Sequence, residues 1–157
     1  MDSKFSEMDS VRHQIELLAK VDATVFIQGG TESGQEVAAR AIHNLSHRKG
    51  RAFVSCTCKA ITDSKTVSQS LLGQADGGTL FLDRVDALNL KAQAILLQFF
   101  QDRVSHRVGG NNLEHADVRL IVASSVDLHS LTEQRRFRQD LLYCINVLSL
   151  QIPSSQP

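Results

Sequence analysis

The chain has 157 residues, 42% of them apolar, a length and composition that suit a single packed core. Its 17 basic residues are balanced by 17 acidic ones, so it lacks the positive field of a protein that grips nucleic acid or an acidic membrane unaided. No apolar run approaches the roughly 20 residues of a membrane span, and MDSKFSEMDS at the N-terminus has no apolar signal core. The expected compartment is therefore the cytoplasm, with neither DNA nor a membrane as a direct partner.

In chain order, apolar periodicity predicts a first helix through Met8, Val11, Ile15 and Leu18, with Asp9 or Ser10 as its N-cap. A strand over 24–27 runs into Gly29, Gly30, Thr31, Glu32, Ser33 and Gly34. A helix then presents Val37, Ala38, Ala41, Ile42 and Leu45 on one face and ends at His47-Arg48-Lys49-Gly50. Next come a strand over 52–55, a helix over 67–72 and a short apolar strand over 79–83 that ends in the carboxylate of Asp83. A longer helix starts at Asn89 or Leu90, with Leu90, Ala94, Leu97 and Gln101 along one side, and Gly109-Gly110-Asn111-Asn112 reads as a turn. A strand over 118–123, helices over 128–135 and 139–145, and a strand over 147–152 complete the series before a polar tail. No internal repeat is visible.

Strands apolar on both faces and separated by helices predict a parallel sheet covered on both sides, with all strand C-terminal ends on one edge. There the glycine loop, Asp83 and Ser124-Ser125 would meet, which is where such sheets bind ligands. Strand, glycine loop and helix together have the order of a phosphate-binding loop, whose amides and helix N-terminus attract anions. The position for its lysine is Gln35, which offers only neutral donors and reads more simply as a solvated helix-start glutamine than as a phosphate ligand. Arg84, beside Asp83, reads as a surface or ion-pair residue, or as a guanidinium turned into the phosphate site. His43 and His47, four apart on one helix, lack a third ligand and are expected to be solvated. Cys56, Cys58 and Cys144 form neither a disulfide framework nor a zinc pattern, so no structural metal is expected.

The stretches DATVFIQG, VAARAIHNLSHR, DGGTLFLD, RVGG, DVRLIVASSVDL and RFRQDLLYCINVLSLQIP, in this order, carry a resemblance over nearly the whole chain. It resembles the AAA+ central domain of bacterial enhancer-binding proteins, the sigma-54-interacting transcription activators of NtrC type. The resemblance implies an α/β P-loop NTPase core over residues 1–157: a three-layer sandwich with a parallel five-stranded sheet, lid subdomain absent, read as a fragment of a larger regulator. It also implies a nucleotide at Gly29, Gly30, Thr31, Glu32, Ser33, Gly34, Gln35 and Glu36, and magnesium at Asp83.

Four positions depart from the active pattern. Gln35 stands for lysine, Arg84 for the glutamate that polarises water, Ser125 for a phosphate-sensing asparagine and Cys144 for the second of two arginines offered to a neighbouring subunit; the first, Arg138, is kept. Between Gly73 and Gln74 the chain omits the loop bearing the GAFTGA element, so no sigma-54 contact is expected. The implied function is that of a degenerate AAA+ domain of a transcription regulator, a nucleotide-binding or oligomerisation module with little or no ATP hydrolysis. ATP, ADP or a cyclic dinucleotide would be a weak ligand, and another copy or another AAA+ regulator subunit the partner. Two alternatives stay open: a slow ATPase using Arg84 or Lys91 in place of the lysine and completed by Arg138 of a neighbour, and a stand-alone antagonist of intact AAA+ regulators.

Overall fold

The structure is a computed structural model that describes residues 2–61, 71–107 and 117–153. The helix start expected at 67, the glycine turn at 109–112 and the tail after Pro153 lie outside the described residues. Five strands, β1 (Val25–Gly29), β2 (Phe53–Thr57), β3 (Thr79–Asp83), β4 (Arg119–Ser124) and β5 (Leu148–Ile152), form one sheet in the order β2-β3-β4-β1-β5. Every pairing is parallel, as the alternation of strands and helices predicts.

Side chains alternate across the strands, and this sorts the core into two halves. Val25 and Ile27 of β1, Phe81 of β3 and Ile121 of β4 pack under α1 (Asp2–Ala19) and α2 (Glu32–Asn44). Phe26, Leu80, Leu82, Leu120 and Val122 pack on the other face, under α4 (Leu90–Arg107) and α6 (Gln139–Ile145). The result is a three-layer sandwich. Among the described residues, a single turn, α3 (Leu72–Gln74), and the short α5 (Leu128–Glu133) are the remaining α-helices.

Helix faces differ from those expected because polar residues share the buried stripes. On α2 the buried set is Gln35, Ala38, Ala39, Ile42 and His43, while Val37 and Leu45 are exposed. On α4 it is Ala92, Gln93, Leu96, Leu97 and Phe99, with Leu90 exposed. Helix α1 begins well before Asp9 and Ser10; instead of capping, Ser10 Oγ accepts from Gln14 Nε2 one turn on, at 3.2 Å. His43 is buried, not solvated: its Nδ1 lies 2.7 Å from Thr79 Oγ1 and its Nε2 3.2 Å from Arg51 O. Burial lowers its pKa and favours the neutral ring. His47, one turn on, is exposed.

The edge of the sheet away from the strand C-termini is tied by Arg48, whose side chain is 4% exposed. Its guanidinium donates to Asp22 Oδ1 and Oδ2 (3.0 and 2.7 Å), Asp117 Oδ1 (2.9 Å) and the carbonyls of Gly78 and Asp117 (3.1 and 3.2 Å). These partners precede β1, β3 and β4. Replacing Arg48 by Met is expected to lower the unfolding free energy by about 3 kcal/mol near neutral pH, at the low end for a broken buried ion pair because both carboxylates reach solvent. Arg48 holds the Asp22 carboxyl below its ordinary range, so the unfolded chain takes up that proton more readily. The contribution is complete above the aspartate range of about 3.9 and fades as pH falls below it. Urea melts of both proteins should therefore differ less in acid than at neutral pH.

Candidate functional site

Only Gly30 and Thr31 separate the end of β1 from the first residue of α2. Gly29 and Gly30 take left-handed φ values of +83° and +66°, and a Cβ on either would lie 2.5 Å from Ile152 O or 2.6 Å from Ile152 Cγ2. The loop is thus pressed against the end of β5, and glycine is required by both the turn and the contact. Thr31 caps α2. Its Oγ1 accepts the Gly34 N–H at 3.0 Å and its carbonyl the Gln35 N–H at 2.9 Å. Glu32, Ser33 and Gly34 therefore belong to the first helical turn and not to an open cradle, and the amides of Glu32 and Ser33 are those the helix start still offers to an anion.

Gln35 is the largest departure from the sequence reading. It is 1% exposed, and its Nε2 donates to Gly29 O at 3.1 Å and Ser124 O at 3.3 Å. The expected solvated glutamine instead joins the C-terminal ends of β1 and β4, because both strands end with a carbonyl facing the helix start. Its Oε1 is buried without a hydrogen-bond partner among the described residues. Glu36, next along, is tied outward: Oε2 pairs with Arg40 Nε at 3.1 Å and Oε1 accepts from Ser55 Oγ at 3.2 Å.

Asp83 ends β3 with a buried Oδ1 that also lacks a partner among the described residues. Burial, together with the charges of Glu32 and Glu36, raises its pKa. Arg84 follows in the left-handed conformation (φ 56°, ψ 49°), unusual for a side chain of this size. One edge of its guanidinium grips Asp86: Nε lies 3.2 Å from both carboxylate oxygens and Nη2 2.9 Å from Oδ2. Nη1 stands 4.0 Å from Glu32 Oε1. Asp86, whose side chain is 6% exposed, was not apparent from the sequence; its only signal is a carboxylate two residues after Arg84. It also lies 3.2 Å from Ser124 Oγ, which sits 2.7 Å from Val126 O. The Ser125 residue itself is exposed.

The structure thus brings Gly29, Glu32, Gln35, Asp83, Arg84 and Ser124 to one edge of the sheet. Arg138 and Cys144 are elsewhere, on α6 and its cap. The Arg138 N–H donates to the buried Gln93 Oε1 at 2.8 Å, and its guanidinium makes two 3.0 Å bonds to Asp140. Burial raises the pKa of the half-buried Cys144 thiol. Among the described residues, the side-chain hydrogen bonds of Arg138 go to Asp140 and not to the loop.

The model of the sigma-54 interaction domain matches residues 1–74 and 60–151, together almost the whole chain. The chain belongs to the sigma-54 interaction domain family. It is 39% identical over 164 residues to the C4-dicarboxylate transport transcriptional regulatory protein DctD of Pseudomonas aeruginosa, covering 93% of this chain and 35% of that protein. To the DNA-binding transcriptional activator HyfR of Escherichia coli it is 40% identical, covering 93% of this chain and 24% of the relative. The chain therefore spans about a quarter to a third of these relatives. NtrX from Brucella abortus in complex with ADP superimposes with a TM-score of 0.81 at 30% identity, over 94% of this chain and 36% of that one. The P-loop NTPase domain of a sigma-54 transport activator from E. coli has the same fold, with a TM-score of 0.67 at 21% identity over 95% of this chain and 96% of that one.

For this sigma-54 interaction domain, the residues fit a nucleotide only in part. A phosphate has two helix-start amides and the Arg84 guanidinium, but it would stand beside three carboxylates, Glu32, Asp83 and Asp86. Among the described residues no group of three or more His, Cys, Asp or Glu is placed to hold a metal ion. Asp83 alone would leave magnesium to be held by water and phosphate oxygens. If Gln35 serves as the bridge seen here, Gln35→Ala should cost about 2 kcal/mol in guanidinium unfolding. A solvated glutamine would change stability by no more than about 0.5 kcal/mol.

Proposed function

We propose that this is a degenerate AAA+ module of a bacterial transcription regulator, one that keeps the fold for assembly and weak nucleotide contact but does not hydrolyse ATP. The observation that carries this reading is the Gln35 amide, committed to the carbonyls of Gly29 and Ser124 at the position where the family pattern places the phosphate-binding lysine. A neutral amide already bonded to backbone cannot offer a charge-assisted bond to a phosphate, worth about 1.5 to 3 kcal/mol. The second loss concerns water activation. Arg84 occupies the position of the polarising glutamate and pairs with Asp86, so that position supplies a cation in place of a general base.

Assembly is the remaining role. The natural partner is a second copy or another AAA+ subunit, the setting is the cytoplasm, and the domain is one piece of a longer regulator whose DNA contact lies elsewhere. Contact with sigma-54 is not part of this reading, because the stretch between Gly73 and Gln74 has no room for the usual loop. A slow ATPase completed in trans has less support, since the Arg138 fork is already bonded to Asp140.

Purified protein with ATP and magnesium should release phosphate at no more than the background rate at any protein concentration. Turnover that rises with concentration and disappears in Asp83→Ala would overturn the proposal. A melting-temperature screen with ATP, ADP and cyclic dinucleotides measures the weak binding separately, because a ligand at 100 times its dissociation constant adds about 2.7 kcal/mol of stability.

A further inference from the structure

A guanidinium has two hydrogen-bonding edges, and in Arg84 they are used unequally. Asp86 holds the Nε and Nη2 edge through three contacts of 2.9 to 3.2 Å. The Nη1 side faces Glu32 Oε1 at 4.0 Å, close enough for attraction but too long for a hydrogen bond. Arg84 is therefore anchored from below and presents a donor edge to the glycine loop. The left-handed backbone at Arg84 shows that the surrounding structure holds the residue against its own preference. Glu32 is at the first turn of α2 and its side chain is 53% exposed, so it is free to swing away. It lies where the helix dipole and the leftover amides would otherwise favour a bound anion.

We propose that the Glu32 carboxylate is a built-in competitor for phosphate at Arg84, an internal anion that occupies the ligand's place on the guanidinium. The incoming group is a phosphate of a nucleoside diphosphate or triphosphate. It replaces Glu32 at the open edge of Arg84 and takes the amides of Glu32 and Ser33, while Asp86 keeps the guanidinium in position. The inference rests on the reading that the loop still accepts a nucleotide weakly, and it assigns the weakness to a particular side chain. It also reverses the sense of Arg84: the residue that replaced a catalytic carboxylate becomes the cation of the site.

Calorimetric titration of ADP into the wild-type chain, Glu32→Gln, Arg84→Asn and the double variant tests it. Asparagine tolerates the left-handed backbone better than most residues, and Arg84→Gly serves if that variant does not fold. Glu32→Gln should tighten ADP binding by about two- to five-fold, the scale of an exposed ion pair, and Arg84→Asn should weaken it by about ten-fold. In the double variant the gain from Glu32→Gln should vanish, because no guanidinium remains to be freed. A gain that persists without Arg84 would mean plain charge repulsion and would overturn the proposal. So would wild-type binding that neither substitution alters, a result that leaves the weak-nucleotide reading intact. If no variant binds ADP, both fall; binding by Glu32→Gln alone would support the competitor while showing the native loop to be closed.

Discussion

The Nε2 amide of Gln35 bonds two carbonyls at the ends of neighbouring strands, one of them 89 residues away in the chain. Parallel strands have no hairpin to hold them in register at their ends, so the top of this sheet depends on what the loops and helix starts supply. Here the supplier is Gln35, in the first turns of α2. An amide with both donors given to backbone is a structural residue, and the loop around it behaves accordingly: Thr31 caps the helix, Gly29 and Gly30 close against β5, and Gln35 joins β1 to β4. Each satisfies a need of the protein itself.

The electrostatics of the same edge follow from this self-sufficiency. One cation, Arg84, stands among Glu32, Asp83 and Asp86. The balance is acidic, which favours protonated or internally paired carboxylates over a bound anion. Asp83 shows the consequence, with an oxygen buried without a hydrogen-bond partner among the described residues and its pKa raised by burial and by the charge of Glu32. At the opposite edge Arg48 sits between two carboxylates and several carbonyls and is well satisfied. The two ends of the sheet thus hold similar groups, satisfied at one and left partly unpaired at the other.

The sheet was legible because Val25 to Ile27, Leu80 to Leu82 and Leu120 to Val122 are apolar at consecutive positions, which only a sheet covered on both faces accommodates. Helix faces were less legible. Gln35, His43 and Gln93 are buried, and a search for apolar spacing passes over them and shifts the stripe. Whether such a residue points inward depends on partners far along the chain: Thr79 Oγ1 for His43, Ser124 O for Gln35, Arg136 O for Gln93. No local pattern encodes those partners. The sequence reading singled out Gln35, Asp83 and Arg84, which the fold gathers at one sheet edge, but it carries no information about Asp86, whose contacts to Arg84 and Ser124 form only after folding.

Gly29 and Gly30 bear on how such loops are to be recognised. Ile152 of β5 comes so near, by its carbonyl at Gly29 and by its side chain at Gly30, that a side chain at either position would overlap it. This crowding is a property of how strand, loop and edge strand fit together, and it persists whether or not a phosphate ever enters. A glycine signature can therefore outlive the chemistry it usually announces. In a protein of this architecture, paired glycines after the first strand diagnose the closeness of a neighbouring chain segment, and evidence for a ligand has to come from the side chains that face it.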